Sequence, residues 1–294
     1  MKTWLKRHTS SLRGKTVAVS GSTGGLGRAL CALLADLGAD LILLDRNPTR
    51  AEVHRTDLLQ KHPEIKVSVI VLDLSDMKSV ENAAEILEKQ PIDILICNAG
   101  AYAVPRFITS SGLDNVFQIN FAAPYYLIRR LMPHLAVRHG RVVVVGSIAH
   151  NYSVTDPADI DFRMRKRASL VYGNAKRYLM YAAYELFCDQ KDVTLSVTHP
   201  GIAVTGITAH YPKLLYALIK YPMKVIFMHP KRACLSILQG VFEPTESCEW
   251  IGPRLFDVWG MPRKRKLTTC TPEERQRIAL EAEKIYQKLL NKGE

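Results

Sequence analysis

The chain has 294 residues, 47 % of them hydrophobic and 23 % charged, which is enough length and apolar material for a sizeable buried core. No run approaches the roughly 18 consecutive apolar residues of a spanning helix, and the N-terminal MKTWLKRHTSSLRGK is basic without the apolar centre of a secretory signal, which predicts a cytoplasmic protein. The net charge of +12 gathers in Arg163, Arg165, Lys166 and Arg167 and again in Arg263 to Lys266, yet no helix-turn-helix, RNA-binding aromatic motif or metal-ligand spacing accompanies it, so nucleic acid and metal are not expected.

The stretch KTVAVSGSTGGLGRALCALLADL organises the rest. Val17 to Val19 read as a buried strand, Gly21, Gly25 and Gly27 as a tight turn, and Leu26, Leu30, Leu33, Leu34 and Leu37 as a helix. Strand, glycine turn and helix make a cradle for a pyrophosphate: the glycines let backbone approach it, and the helix start aims free N–H groups at it. Residues 39–46 form a second strand ending on Asp45, 24 positions beyond Gly21, where a carboxylate accepts from adenosine ribose hydroxyls. Arg46 follows and could instead meet a 2′-phosphate. A helix at about 48–62, a strand KVSVIVLDL ending at Asp73, a helix at 77–89 and a strand at 92–97 before Asn98-Ala99-Gly100 continue the alternation. Such alternation predicts the α/β class, with a single doubly wound, Rossmann-type parallel sheet and helices on both faces. Ligands gather at the carboxyl ends of such strands, where Gly21, Asp45, Asp73 and Asn98 all fall.

A long helical stretch at about 111–138 carries Asn120, which by spacing alone only satisfies backbone. The strand RVVVVGS ends on Ser147, an irregular polar stretch spans 149–169, and the next helix carries Tyr172 and Lys176 on one face. A phenol titrates near 10, too high for acid–base work unless a cation such as Lys176 favours the phenolate. Ser147, on the same edge, is placed to hydrogen-bond a carbonyl or alcohol beside a nicotinamide. After VTLSVTH come Pro200, Gly201 and Thr205. The apolar, aromatic-rich segment at about 206–228 reads as a lid over a greasy pocket, with an oligomer (homodimer) interface as the rival reading. Then come a helix at 231–242, a last strand at 249–252 and a C-terminal amphipathic helix at about 272–291, N-capped by Thr271 with Pro272 in its first turn. No linker divides the chain, so 1–294 reads as one dinucleotide-binding catalytic domain with its core at about 14–255. Six cysteines are scattered without a CxxC pair, which fits a reducing compartment.

These residues together resemble the short-chain dehydrogenase/reductase family over about 14–255. The family's TGxxxGxG appears as Ser20-Gly21 followed by Gly25 and Gly27, its adenine-side aspartate as Asp73 in LDL, and its NNAG as Cys97-Asn98-Ala99-Gly100 with the first asparagine lost. The resemblance implies a catalytic set of Asn120, Ser147, Tyr172 and Lys176, with Asn120 anchoring a proton-relay water. It also implies cofactor contacts from Gly21, Ser22, Gly25, Leu26, Gly27, Asp45, Arg46, Asp73, Leu74, Asn98, Ala99, Gly100, Tyr172, Lys176, Pro200, Gly201 and Thr205. Ala175 replaces a serine of the usual YxxSK. The 25-residue interval from Ser147 to Tyr172, SIAH with IDF before the tyrosine, and HPKRACLSIL are similar to the retinol dehydrogenase and protochlorophyllide reductase-like branch. That implies an alcohol or carbonyl substrate of lipophilic kind, such as a retinoid or steroid. NAD(H) is the expected cofactor, with NADP(H) the alternative, because a 2′-phosphate at about 4 Å from the Asp45 carboxylate meets a repulsion of about 4 kcal/mol at an effective dielectric of 20. Two other readings stay open: a peripheral enzyme whose lid and basic clusters dock on anionic lipid, and a silent cofactor-binding regulator, against which the intact catalytic set argues. For the basic clusters a solvated surface and an anionic substrate also stay open.

Overall fold

The computed structural model describes residues 1–202 and 228–291. The expected lid, apart from Met228, and the expected cofactor contact Thr205 lie outside the described residues. Strands β1 (Thr16–Ser20), β2 (Asp40–Asp45), β3 (Val67–Val71), β4 (Ile94–Cys97), β5 (Arg141–Val145), β6 (Thr194–Thr198) and β7 (Glu249–Leu255) run parallel in the order β3-β2-β1-β4-β5-β6-β7. β8 (Trp259–Lys266) completes the sheet antiparallel to β7. The order reverses between β1 and β4, and that switch point opens a crevice at the carboxyl ends of the strands.

The strands are apolar nearly throughout because both of their faces are covered. Ala18, Ile42, Leu44, Leu95, Cys97, Val142 and Val144 point into one cluster with α4 (Met77–Leu87), α6 (Ala123–Val137), α7 (Ala168–Phe187) and α9 (Pro272–Leu290). Their neighbours Val17, Val19, Leu41, Leu43, Ile94, Ile96, Val143 and Val145 point into the other, with α2 (Gly25–Asp36) and α8 (Pro230–Phe242). Trp4 and Leu5 of the short N-terminal α1 (Lys2–His8) and Leu58 of α3 (Pro48–Lys61) pack on this second side. Among the described residues, no helix is long and apolar enough to cross a membrane, and no group of ligating side chains is placed to hold a metal ion.

Besides the unexpected α1, the structure departs from the expected elements in two places. The single helix expected at 111–138 starts only at α5 (Asn115–Phe117), where the Asp114 carboxylate accepts from Val116 N at 3.0 Å and so caps the start. A π turn, Gln118–Ala122, then precedes α6. Pro124 has no N–H to give the carbonyl four residues back, that of Asn120, and the ladder widens there. The second departure is β8, which extends the sheet beyond the last strand expected at 249–252. Its sequence, WGMPRKRK, carries the Arg263–Lys266 cluster along an exposed sheet edge, where charges and Pro262 discourage another strand from pairing.

Candidate active site

The glycine turn joins β1 to α2. Gly21 has φ +68°, in the left-handed region that a side chain resists. At Gly27 an added Cβ would lie 2.1 Å from the Gly21 carbonyl oxygen, so only glycine lets the helix pack onto the turn. Gly24 is the N-cap of α2 and offers no side chain to its free N–H groups. Gly25 and Leu26 begin that helix, with Leu26 half-buried against the second cluster. Ser20, at the family motif's first position, ties two strand tips together. Its hydroxyl accepts from Asn98 N and Ala99 N, both at 3.0 Å, and donates to Ile96 O at 3.3 Å. Asn98 Nδ2 in turn donates to Ser20 O at 2.9 Å, which leaves Asn98 Oδ1 buried with no partner among the described residues. An uncapped helix start, glycine backbone and an orphaned amide oxygen at one switch point fit a dinucleotide.

Asp45 differs from its expected role as a free ribose acceptor. Its carboxylate is only 6 % exposed. It accepts from Ser22 Oγ, from Thr23 Oγ1 at 2.8 Å and from Thr23 N at 3.2 Å. The carboxylate therefore braces the glycine turn, and few of its lone pairs are left for ribose hydroxyls. Arg46, next along, is exposed. Asp73 accepts from Ser75 N at 2.9 Å and Ser75 Oγ at 2.6 Å, shaping the turn into α4. Leu74 is buried in the core, and its carbonyl accepts from Gln118 Nε2 at 3.1 Å. Gly100 lies against Asn120, whose Oδ1 would stand 2.7 Å from a Cβ there.

Asn120 sits inside the π turn, fully buried. Its Nδ2 donates to Ala101 O at 2.9 Å and Val116 O at 2.8 Å, and its Oδ1 accepts from Ala101 N at 3.2 Å. Ser147, two residues past the end of β5, caps a 3₁₀ turn (Ile148–Tyr152) by accepting from Ala149 N at 3.2 Å, and its hydroxyl neighbours the Tyr172 phenol. Tyr172 and Lys176 share one face of α7. Tyr172 meets Tyr102 edge-on, with ring centres 5.3 Å apart. Lys176 is 1 % exposed, donates from Nζ to Val145 O at 2.9 Å, and lies 5.8 Å from the Tyr172 ring centre.

The electrostatics differ from the expectation that Lys176 draws the phenol down. Burial dominates both groups. It pushes Tyr172 up to about 12, which the neighbouring Ser147 hydroxyl only partly offsets, and it pulls Lys176 down to about 8, opposed by Cys97 beside it. Pro200 and Gly201 close the edge after β6, with Gly201 at φ +77°. Val104, Val116, Phe162, Leu170 and Val171 form a small apolar cluster with Tyr172 at its margin.

Two of the Arg163–Arg167 arginines, though exposed, are paired with acids of the same chain. Arg163 pairs with Asp161 at 2.7 Å and donates to Gly112 O at 2.8 Å, and Arg165 pairs with Asp156 at 2.8 Å. Arg106 completes this brace by pairing with Asp114 at 2.8 Å and donating to Phe162 O at 2.8 Å, so residues 106–114 and 156–165 form one rim beside Tyr172. Thr23, Tyr102 and Phe162 were not singled out from sequence, and neither was Arg106. Only Thr23 carried a signal, through its place inside the glycine turn.

A sequence profile of the short chain dehydrogenase family matches residues 15–158. Human retinol dehydrogenase 14 is 32 % identical over 239 residues, covering 74 % of this chain and 71 % of that protein. Human WW domain-containing oxidoreductase is 32 % identical over 203 residues, covering 64 % of this chain. The chain spans about half the length of that relative, 49 %. Among solved structures, an uncharacterised protein of Mycobacterium paratuberculosis superposes with a TM-score of 0.72 at 24 % identity, covering 95 % of this chain and 94 % of that one. A short-chain dehydrogenase of Sphingobium yanoikuyae, solved with NADPH, gives 0.58 at 22 % identity, covering 77 % and 83 %. With the glycine turn, the doubly wound sheet and these relatives in agreement, the chain belongs to the short-chain dehydrogenase/reductase family, in its retinol dehydrogenase-like branch.

Proposed function

We propose that the chain is an NAD(P)-dependent oxidoreductase that interconverts an alcohol and a ketone or aldehyde on a lipophilic substrate. The observation that carries this reading is the Ser147 hydroxyl next to the Tyr172 phenol at the carboxyl edge of the sheet, with Lys176 buried one helical turn behind the phenol. A nicotinamide dinucleotide, when bound, supplies or accepts the hydride. The glycine turn, braced by Asp45, would hold its pyrophosphate, Asp73 with Leu74 its adenosine end, and Asn98 to Gly100, Tyr172, Lys176, Pro200 and Gly201 its nicotinamide end. In the reductive direction the Tyr172 hydroxyl gives its proton to the carbonyl oxygen while the Ser147 hydroxyl donates a hydrogen bond to the same atom. In the oxidative direction Tyr172 Oη takes the proton of the alcohol. Lys176 supplies positive charge beneath the pair, and Asn120 fixes the backbone of Ala101 opposite.

The apolar cluster beside Tyr172 supports a lipophilic substrate, as does the similarity to retinol dehydrogenases. The Asp45 carboxylate at the β2 tip supports a preference for NAD(H), because its charge repels a 2′-phosphate whether or not it bonds the ribose. Assaying retinoids, sterols and aliphatic carbonyls by nicotinamide absorbance with each cofactor tests the reading. Activity on none of them, with Tyr172→Phe indistinguishable from wild type, overturns it.

A further inference from the structure

Arg177 follows Lys176 on α7, yet its side chain turns away from Val145 and into a buried polar knot. Its guanidinium is 2 % exposed and pairs with Glu274, 9 % exposed, through Nε to Oε1 at 2.8 Å and Nη2 to Oε2 at 2.5 Å. Arg177 Nη1 also donates to His150 O at 3.2 Å, and Nη2 to Thr269 O. Glu274, in the first turn of α9, accepts on Oε1 from Thr155 Oγ1 at 2.9 Å and Thr155 N at 3.3 Å. His150 belongs to the 3₁₀ turn that Ser147 starts, and both its backbone N–H (3.1 Å) and its Nδ1–H (2.6 Å) donate to Ser147 O.

A continuous chain of hydrogen bonds therefore runs from the C-terminal helix to the backbone of Ser147, through an ion pair sealed from water. Two features mark it as more than a way of docking α9. Glu274 spends its lone pairs on both sides of the knot, on α7 and on the 148–155 segment. In addition, the one arginine reaches the Ser147 turn and the helix that carries Tyr172 and Lys176. A buried pair is a costly way to gain stability, since apolar residues of the same volume do as well or better, but it fixes geometry along fixed directions. α9 itself adheres through other contacts: the Tyr286 ring meets Tyr126 at a tilt with centres 5.6 Å apart, the Arg129 guanidinium lies 4.2 Å from the Tyr286 ring centre, and Ile278, Ala282 and Leu289 are buried.

We infer that Arg177 and Glu274 are positioning residues that hold the Ser147 turn in register with Tyr172, making the C-terminal helix a working part of the active site. This rests on the assignment of Ser147 and Tyr172 proposed above. The test uses the full chain with Glu274→Gln, Arg177→Met and Thr155→Val. The last keeps the ion pair and removes one hydroxyl, so it reports even if the other two fail to fold. Thermal midpoint, dissociation constant for reduced cofactor by fluorescence, and separate kcat and KM are measured well below each midpoint.

The expected result is a fall in kcat of about 10- to 100-fold for Glu274→Gln and Arg177→Met, the scale of a misplaced reacting group. Thr155→Val should show a smaller fall in the same direction, and KM and the cofactor dissociation constant should stay within about twofold. A lowered midpoint with kcat unchanged in the variants that fold would overturn the inference and leave the pair as a docking contact. Tyr172→Phe is run beside them. Full activity in that variant would instead overturn the reaction assignment, whatever the other three show.

Discussion

Lys176 Nζ lies 2.9 Å from the Val145 carbonyl oxygen at the tip of β5, so its charge is tied to the strand and not to the phenol of Tyr172. Tyr172 meanwhile stands high, pushed up to about 12 by burial, and is a proton donor as it sits. Replacing Tyr172 with Phe keeps the ring and removes the proton. Turnover should fall by about 10²–10⁴, the usual worth of general acid–base catalysis, while cofactor affinity barely moves. Lys176→Ala should lower both. Steady-state rates and cofactor fluorescence titrations separate the two outcomes, and a Tyr172→Phe enzyme of normal turnover would remove the phenol from the mechanism.

Pro124 offers a second test, because a single missing N–H opens the helix around Asn120. Pro124→Ala restores the donor and should let the π turn tighten to α-helix. Thermal stability is expected to hold or rise. The Asn120 side chain should rotate off Ala101, and kcat should drop by on the order of 10- to 100-fold. Unchanged kcat in a more stable variant would mean that the turn has no part in placing Asn120.

Cofactor choice is best tested at Asp45, which has two jobs. Asp45→Asn keeps an oxygen for Thr23 N and removes the charge, so kcat/KM should shift toward NADP(H) with the turn intact. Asp45→Ala loses the brace as well and should weaken both cofactors. A wild type that already favours NADP(H), and loses that preference on Arg46→Ala, refutes the NAD(H) proposal.

Acid stability follows from three buried histidines. Burial is the main cause that holds His54 down to about 4, His150 to about 4 and His199 to about 3, against an ordinary value of 6.5. Their folded values are depressed, so the unfolded chain binds more protons below pH 6.5. Stability is complete above about 6.5 and falls as pH drops toward 4, by at most about 1.4 kcal/mol per pH unit for each group. Urea unfolding between pH 6.5 and 5 should show this slope. His199→Phe, which can keep the stack on Trp250, should flatten it by one proton. A flat wild-type profile contradicts the prediction.

The strand tips were legible because a doubly wound sheet puts chemistry at its carboxyl edge, and Gly21, Asp45, Asp73 and Asn98 each follow an apolar run directly. Which way a side chain turns there was not legible. Spacing brings Asp45 to the tip, but Ser22 and Thr23, folded back over it, decide what the carboxylate bonds. The register of Asn120 depends on an amide that Pro124 lacks, an absence that helical periodicity does not display. The pairing of Arg163 with Asp161 and of Arg165 with Asp156 was not legible, because all four lie in one irregular stretch with no helical or strand spacing to set which side chains meet. Arg177 and Glu274 are 97 positions apart, with no local pattern to join them.

The run MPRKRK on β8 has a consequence for self-association. An edge strand is a template for another chain, and β8 lies against a sheet whose inner strands are almost wholly apolar. Each arriving copy would have to bring a second Arg263, Lys264, Arg265 and Lys266 alongside the first. Mutual repulsion, with Pro262 lacking an N–H to offer, turns the edge from a growth point into a terminus, and neutralising those charges would weaken what keeps the sheet from extending between molecules.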